Sequence, residues 1–277
     1  MTYDHTACRH KRSQRFAAAA LLLGLLAMWP AAALAQTSTR LSDNEVKKLI
    51  EQVYEARDKF EGNLDNKVKN GMMKTATTDA KVETVLQDLQ DNAAKLRDRF
   101  KPDYAAGAEA ETLLKHATMI STAMERAAIT KGRSEWDRLV VSLNSLSAVY
   151  GTTFPLPEGA SVRRVNDRET AAAAETIAKS ADQIKDQIDN NKALAKTDKE
   201  SGEELADALE KAADALKSNI ADGKPATQEV RTVAAFATKL RAFLTAHPTP
   251  LAAAASSTIN AAMVTLRQSF MLPPATF

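Results

Sequence analysis

Residues 136–150 read WDRLVVSLNSLSAVY, in which Trp136, Leu139, Leu143, Leu146 and Tyr150 recur at the three- and four-residue spacing of one helix face. Moved 120 positions along, the same places hold Ser256, Ile259, Met263, Leu266 and Phe270, four of the five still apolar with no gap. This stretch predicts an amphipathic helix and a degraded second version of it near the end of the chain.

Working outward, the rest of the chain follows the same pattern. Ser42 followed by Glu45 has capping-box spacing, and Val46, Ile50, Val53, Phe60 and Leu64 then mark an amphipathic helix to about Lys69, with Arg57 as the one polar stop in its seam. Asn70-Gly71 ends it, residues 72–78 read as a turn, and Thr78 or Asp79 would open the next helix. That helix buries Val82, Val85, Leu89, Ala93, Leu96 and Phe100 before Pro102 stops it. A third is expected over about 105–128, and Gly132 precedes the Trp136 helix. Pro155 and Pro157 then suggest a stiff linker to about Val165.

After the linker the pattern restarts. Asn166 and Glu169 repeat the cap pair at an offset of 124, and Ile177, Ile184 and Ile188 repeat Val53, Phe60 and Leu64, while Arg57 becomes Ala181. Beyond the first turn the offset falls to 120, so that Leu209, Ala213 and Leu216 repeat Leu89, Ala93 and Leu96. One consistent four-residue difference across several helices is the mark of internal duplication. The expected fold is all-α: two tandem up-down-up-down four-helix bundles, residues 36–157 and 158–277, behind a cleaved signal peptide. Strands are not expected, because apolar alternation is nowhere sustained.

The first 35 residues have the organisation of an export signal. Arg9, Lys11, Arg12 and Arg15 precede an apolar run over 16–28, and Ala33-Leu34-Ala35 offers a cleavage site before Gln36. Cleavage would take away four basic residues and Asp4, so the formal charge of +2 becomes 33 basic against 34 acidic groups, or −1. A near-neutral chain has no field for nucleic acid or anionic membrane. Cys8, the only cysteine, leaves with the signal. The expected location is the periplasm or outside the cell, with no transmembrane segment once the signal is gone.

Chemistry is sparse. No Gly-rich phosphate loop, Gly-x-Ser-x-Gly elbow or calcium-loop pattern occurs, and the carboxylates alternate with lysines as on a solvated, ion-paired face. No cofactor or metal is expected, and an enzyme is not. His116 with a methionine could in principle ligate haem, but Phe236 stands at its counterpart and no Cys-x-x-Cys-His is present, which favours packing. Arg57 is either an arginine whose head reaches solvent or a buried charge paired with a carboxylate. Tyr54, Tyr104, Trp136 and Tyr150 all lie in the first repeat and none in the second. Candidate binding residues are therefore Trp136, Tyr150, Arg57 and His116.

The segment Leu96-Arg97-Asp98-Arg99-Phe100 and the helix carrying Trp136, Leu139, Leu143, Leu146 and Tyr150 resemble a group of uncharacterised exported helical proteins of bacteria. The resemblance spans about residues 41–157 and rests on packing motifs; it implies export and a helical bundle, and carries no site. The expected function is non-enzymatic binding or scaffolding in the cell envelope, with an envelope protein as partner. The alternative is a small-ligand or cofactor carrier or sensor, holding its ligand in the first bundle.

Overall fold

Each helix expected from periodicity forms, and its apolar seam is what the structure buries. The structure, a computed structural model, describes residues 40–74, 79–126, 131–248 and 250–272. The expected signal peptide and its cleavage site lie outside these. Helix α1 (Asp43–Asn63) starts at the expected capping box: Ser42 Oγ accepts from Glu45 N, and Glu45 Oε2 accepts from Ser42 N at 2.7 Å. A single turn, α2 (Asn66–Lys69), leads to strands β1 (Met72–Lys74) and β2 (Asp79–Lys81). Then come α3 (Val82–Arg99), α4 (Gly107–Arg126), α5 (Arg133–Val149), α6 (Asp167–Asp189), α7 (Lys196–Ala221), α8 (Thr227–Ala246) and α9 (Pro250–Phe270). Among the described residues the protein is all-α apart from that short hairpin.

The helices neighbour one another in two rings. Helix α1 packs on α3 and α5, and α4 on α3 and more sparsely on α5; likewise α6 packs on α7 and α9, and α8 on α7 and more sparsely on α9. Side-chain pairs give the directions. Phe60 near the end of α1 meets Trp136 at the start of α5, and Arg57 reaches Leu86 near the start of α3. Thr170 at the start of α6 meets Ser269 at the end of α9. These neighbours run antiparallel, as short connections require. Each ring closes on its own apolar cluster, one drawn from residues 46–162 and the other from 173–270.

Burial keeps the offsets seen in the sequence. Val46, Leu49, Ile50, Val53, Arg57, Phe60 and Leu64 are buried, and so is every residue 124 positions later. At an offset of 120, Leu139, Leu143, Leu146 and Tyr150 match the buried Ile259, Met263, Leu266 and Phe270, whereas Ser256, opposite Trp136, is half-exposed. Volume is exchanged rather than lost between α7 and α8: Gly202 stands opposite Val82 and Phe243 opposite Ala123. A Cβ on Gly202 would come within 2.6 Å of the Phe243 ring.

Four expectations need correction. The first helix ends at Asn63, not Lys69, because Leu64 takes an extended conformation to bury itself and Asp65 caps a new turn. Residues 72–78 are not all turn, and the next helix opens at Val82, not Thr78 or Asp79. An antiparallel hairpin pairs Met72 with Lys81, Met73 with Ala80 and Lys74 with Asp79. Strands were not expected; these are three residues each, too short to show alternation in sequence, and Met73 is buried in the core with Ala80 packed against it, while Met72 is 63% exposed. Finally, the Pro155/Pro157 segment is not a spacer. It is a loop closed on itself, with Arg163 N donating to Tyr150 O at 3.1 Å. Phe154 and Val162 sink into the first cluster, and Leu156 N donates to Thr118 Oγ1 at 2.9 Å.

Candidate functional site

Three of the four residues singled out from sequence are buried. Trp136 is 2% exposed and tilts against Phe60 with ring centroids 5.0 Å apart. Tyr150 is fully buried; its hydroxyl donates to Ala105 O at 2.6 Å, and burial pushes the phenol pKa far above its ordinary value. Arg57 takes the second of its two readings. Its guanidinium is buried, with Nη2 donating to Leu86 O at 2.9 Å and pairing with Glu61 at 2.5 Å, and Nη1 donating to Asp58 at 2.9 Å. Its Nε has no partner. His116 is half-buried, with Nδ1 3.0 Å from both the Asn92 side-chain amide and Thr112 O. A protonated Nδ1 donates to the carbonyl; a bare one accepts from the amide.

These four do not converge. Trp136 and Arg57 share one end of the first helical set through Phe60, whereas Tyr150 lies fourteen residues further along α5, roughly 21 Å away at 1.5 Å per residue. His116 sits on α4, beside α3. They are packing and pairing positions of one half.

What the structure does bring together is a cluster that the sequence reading passed over. Arg40, Asp43, Arg164 and Asp167 meet where the starts of α1 and α6 approach. Arg40 Nη2 pairs with Asp167 at 2.5 Å, and Arg164 Nη2 pairs with Asp43 at 2.7 Å. Asp43 N donates to Asp167 Oδ2 at 2.8 Å, and Asp167 N donates to Asp43 Oδ2 at 3.0 Å. The arginines also cross over to backbone: Arg40 reaches Val165 O at 3.4 Å and Arg164 reaches Leu41 O at 2.8 Å. Each carboxylate thus sits at the N-terminus of the other helix, where its charge meets the unpaired first-turn amides and the positive end of the dipole. Burial pulls the Arg40 pKa down and the Asp167 carboxylate beside it pushes back, leaving it below the ordinary arginine value.

The signal for this clasp was present. Arg40, Asp43 and Glu45 recur as Arg164, Asp167 and Glu169 at the same offset of 124 as the cap pair. The two sides differ at one point. Arg40 Nε donates to Ser269 Oγ at 2.6 Å, and Thr170 Oγ1 lies 3.3 Å from Arg40 Nη2. The positions matching Ser269 and Thr170 in the first half are Val149 and Val46, which offer no acceptor, and Arg164 Nε is left without a partner.

A second cluster belongs to the first half alone. The hairpin carries exposed Met72, set across the strands from exposed Lys81, while Lys67 is exposed on α2 and Lys131 pairs with Asp65 at 3.7 Å. In the second half, α7 is already helical at the matching residues. Elsewhere, a depression of about 190 Å³ between α8 and α9 is lined by Arg241, Leu244, Thr245, Pro248, Ala252, Ala253 and Ser256. Another of about 410 Å³ lies over Asp98, Arg99, Lys101, Asp103 and Tyr104. Beside it, Glu109 accepts from Arg99 at 2.7 Å and Tyr104 at 3.0 Å.

Among the described residues, no group of three or more His, Cys, Asp or Glu side chains is placed to hold a metal ion, and no helix is long and apolar enough to cross a membrane. Comparison with known proteins finds no matching family model, no matching curated protein and no matching solved structure. The resemblance carried by the Leu96–Phe100 segment and the Trp136 helix rests on those residues alone.

Proposed function

We propose that this chain is an exported, non-enzymatic protein of the cell envelope, built as two tandem four-helix bundles by internal duplication, and that its first bundle binds a partner protein. Matched burial at offsets of 124 and 120, and two closed helix rings with separate apolar clusters, support the duplication. Arg40, Glu109 and Lys185, whose pKa values are shifted, are each engaged in an ion pair with a neighbouring side chain.

The observation that carries the reading is the hairpin. A second copy of the same bundle manages with a turn four residues shorter, so the strands are not needed to close a bundle. They instead present Met72, 63% exposed, opposite the exposed Lys81 on the neighbouring strand. An exposed flexible apolar side chain in a polar rim suits protein contact. In the test, residues 64–81 are replaced by residues 188–201, the shorter second-half equivalent. The unmodified chain, used as bait on the envelope fraction of its host, is expected to enrich a partner that the chimera loses; enrichment by a folded chimera of the same partner refutes the reading. The carrier alternative, with its ligand in the first bundle, draws on the depression over Asp98, Arg99, Lys101, Asp103 and Tyr104. Native mass spectrometry of the protein from its host separates the two by a bound mass.

A further inference from the structure

The contacts between the two halves are reciprocal. Arg40 pairs with Asp167 and Arg164 with Asp43, and each aspartate accepts the other's backbone N–H. An interface in which residue i meets j while the equivalent of j meets the equivalent of i is isologous, the arrangement by which two copies of one protein close into a dimer. Here both sides lie on a single chain. We propose that the clasp is a dimerisation surface, and that a second copy of this chain can replace the chain's own other half, giving a half-exchanged dimer closed by two clasps.

Three observations support this, none of which depends on the hairpin reading. First, the two apolar clusters draw on separate residues, 46–162 and 173–270, so exchange leaves the helical part of both cores whole and takes from the first only Phe154 and Val162 of the connecting loop. Second, the connection can open. Residues 151–162 form a loop whose ends touch at the Tyr150–Arg163 hydrogen bond, and it is held to the first half by Phe154, Val162 and the Leu156–Thr118 bond. Released, twelve residues reach roughly 40 Å at 3.3–3.6 Å each. Third, exchange costs the clasp nothing. The hydroxyls serving Arg40, on Ser269 and Thr170, lie in the second half, so an exchanged dimer, which sets a first half against a second half at each clasp, keeps these contacts twice over.

A flexible loop favours the closed monomer, because the chain's own second half is at high effective concentration. A stiff connection removes that advantage. The decisive experiment replaces residues 152–162 with three EAAAK repeats, which at about 1.5 Å per helical residue hold the ends roughly 22 Å apart. Light scattering on size-exclusion chromatography is expected to show twice the monomer mass. A Gly/Ser segment of equal length is expected to leave a monomer. In the stiff-spacer chain, Arg40→Met with Asp43→Asn is expected to return the mass to that of a monomer. Should the spacer chain not fold, isotope-labelled and unlabelled unmodified chains are refolded together at high concentration, and native mass spectrometry looks for mixed dimers. Monomers throughout, or dimers indifferent to the clasp substitutions, overturn the proposal.

Discussion

Ser269→Val removes the feature that distinguishes the two sides of the clasp. The wild-type hydroxyl accepts from Arg40 Nε at 2.6 Å, is itself 6% exposed, and lies 2.7 Å from Thr170 Oγ1. Thr170 loses the Ser269 hydroxyl as a donor but keeps its own bond to Asn166 O at 2.7 Å and its contact with Arg40 Nη2, so the main loss falls on Arg40 Nε. A buried hydrogen bond to a charged group contributes about 1.5–3 kcal/mol. Valine returns roughly 1 kcal/mol by burying extra apolar surface. The expected loss is about 0.5–2 kcal/mol, or roughly 1–8 °C in Tm for a chain of this size. The reverse change, Val149→Thr, offers Arg164 Nε the acceptor it lacks and is expected to stabilise by about 1 kcal/mol. Urea unfolding followed by circular dichroism measures both, with an unchanged slope showing that the unfolded state is unaffected. Ser269→Val within about 0.3 kcal/mol of wild type, or Val149→Thr clearly destabilising, would refute the role given to these hydroxyls.

Other expectations follow from the same packing. Trp136→Ala leaves Phe60 without its ring partner and is expected to cost about 3–5 kcal/mol in urea unfolding. Gly202→Ala drives a Cβ to within 2.6 Å of Phe243 and 3.0 Å of Ile188, so it is expected to lose about 1–3 kcal/mol, with part regained in the double variant Gly202→Ala/Phe243→Ala; additive losses would contradict the contact. Burial works to raise the Glu109 carboxyl, but hydrogen bonds from Arg99 and Tyr104 hold it below its ordinary 4.5. A depressed carboxyl stabilises above its unfolded value and loses that contribution as pH falls through its folded value. Between about pH 5 and about pH 3 the wild type is therefore expected to lose more stability than Glu109→Gln, read as converging urea midpoints.

Much of the fold was legible because helices announce themselves locally. The seam of Val46, Ile50, Val53, Phe60 and Leu64, the capping box Ser42/Glu45, the Asn166 cap accepting from Glu169 N, and the Trp136–Tyr150 face all depend on residues within a turn of one another, and all form. Where strands run for three residues there is no period to detect, and the hairpin stayed hidden. The closed loop at Pro155 and Pro157 was equally out of reach, since proline reports stiffness and not where the chain returns. Among site residues, Trp136 and Tyr150 were found because aromatic side chains stand out, but their burial makes them core. Arg57 was found because it interrupts a seam.

The sequence by itself determined that this is an all-α chain, the order of its helices, and which face of each turns inward, because hydrophobic spacing and capping act over a few residues. Only the tertiary structure decided which charges are buried. Arg40 and Asp167 are 127 residues apart, and nothing local distinguishes them from the many solvated arginines and aspartates around them. Their meaning comes from two helix N-termini brought face to face, where an unpaired charge would be costly and a reciprocal pair is stable.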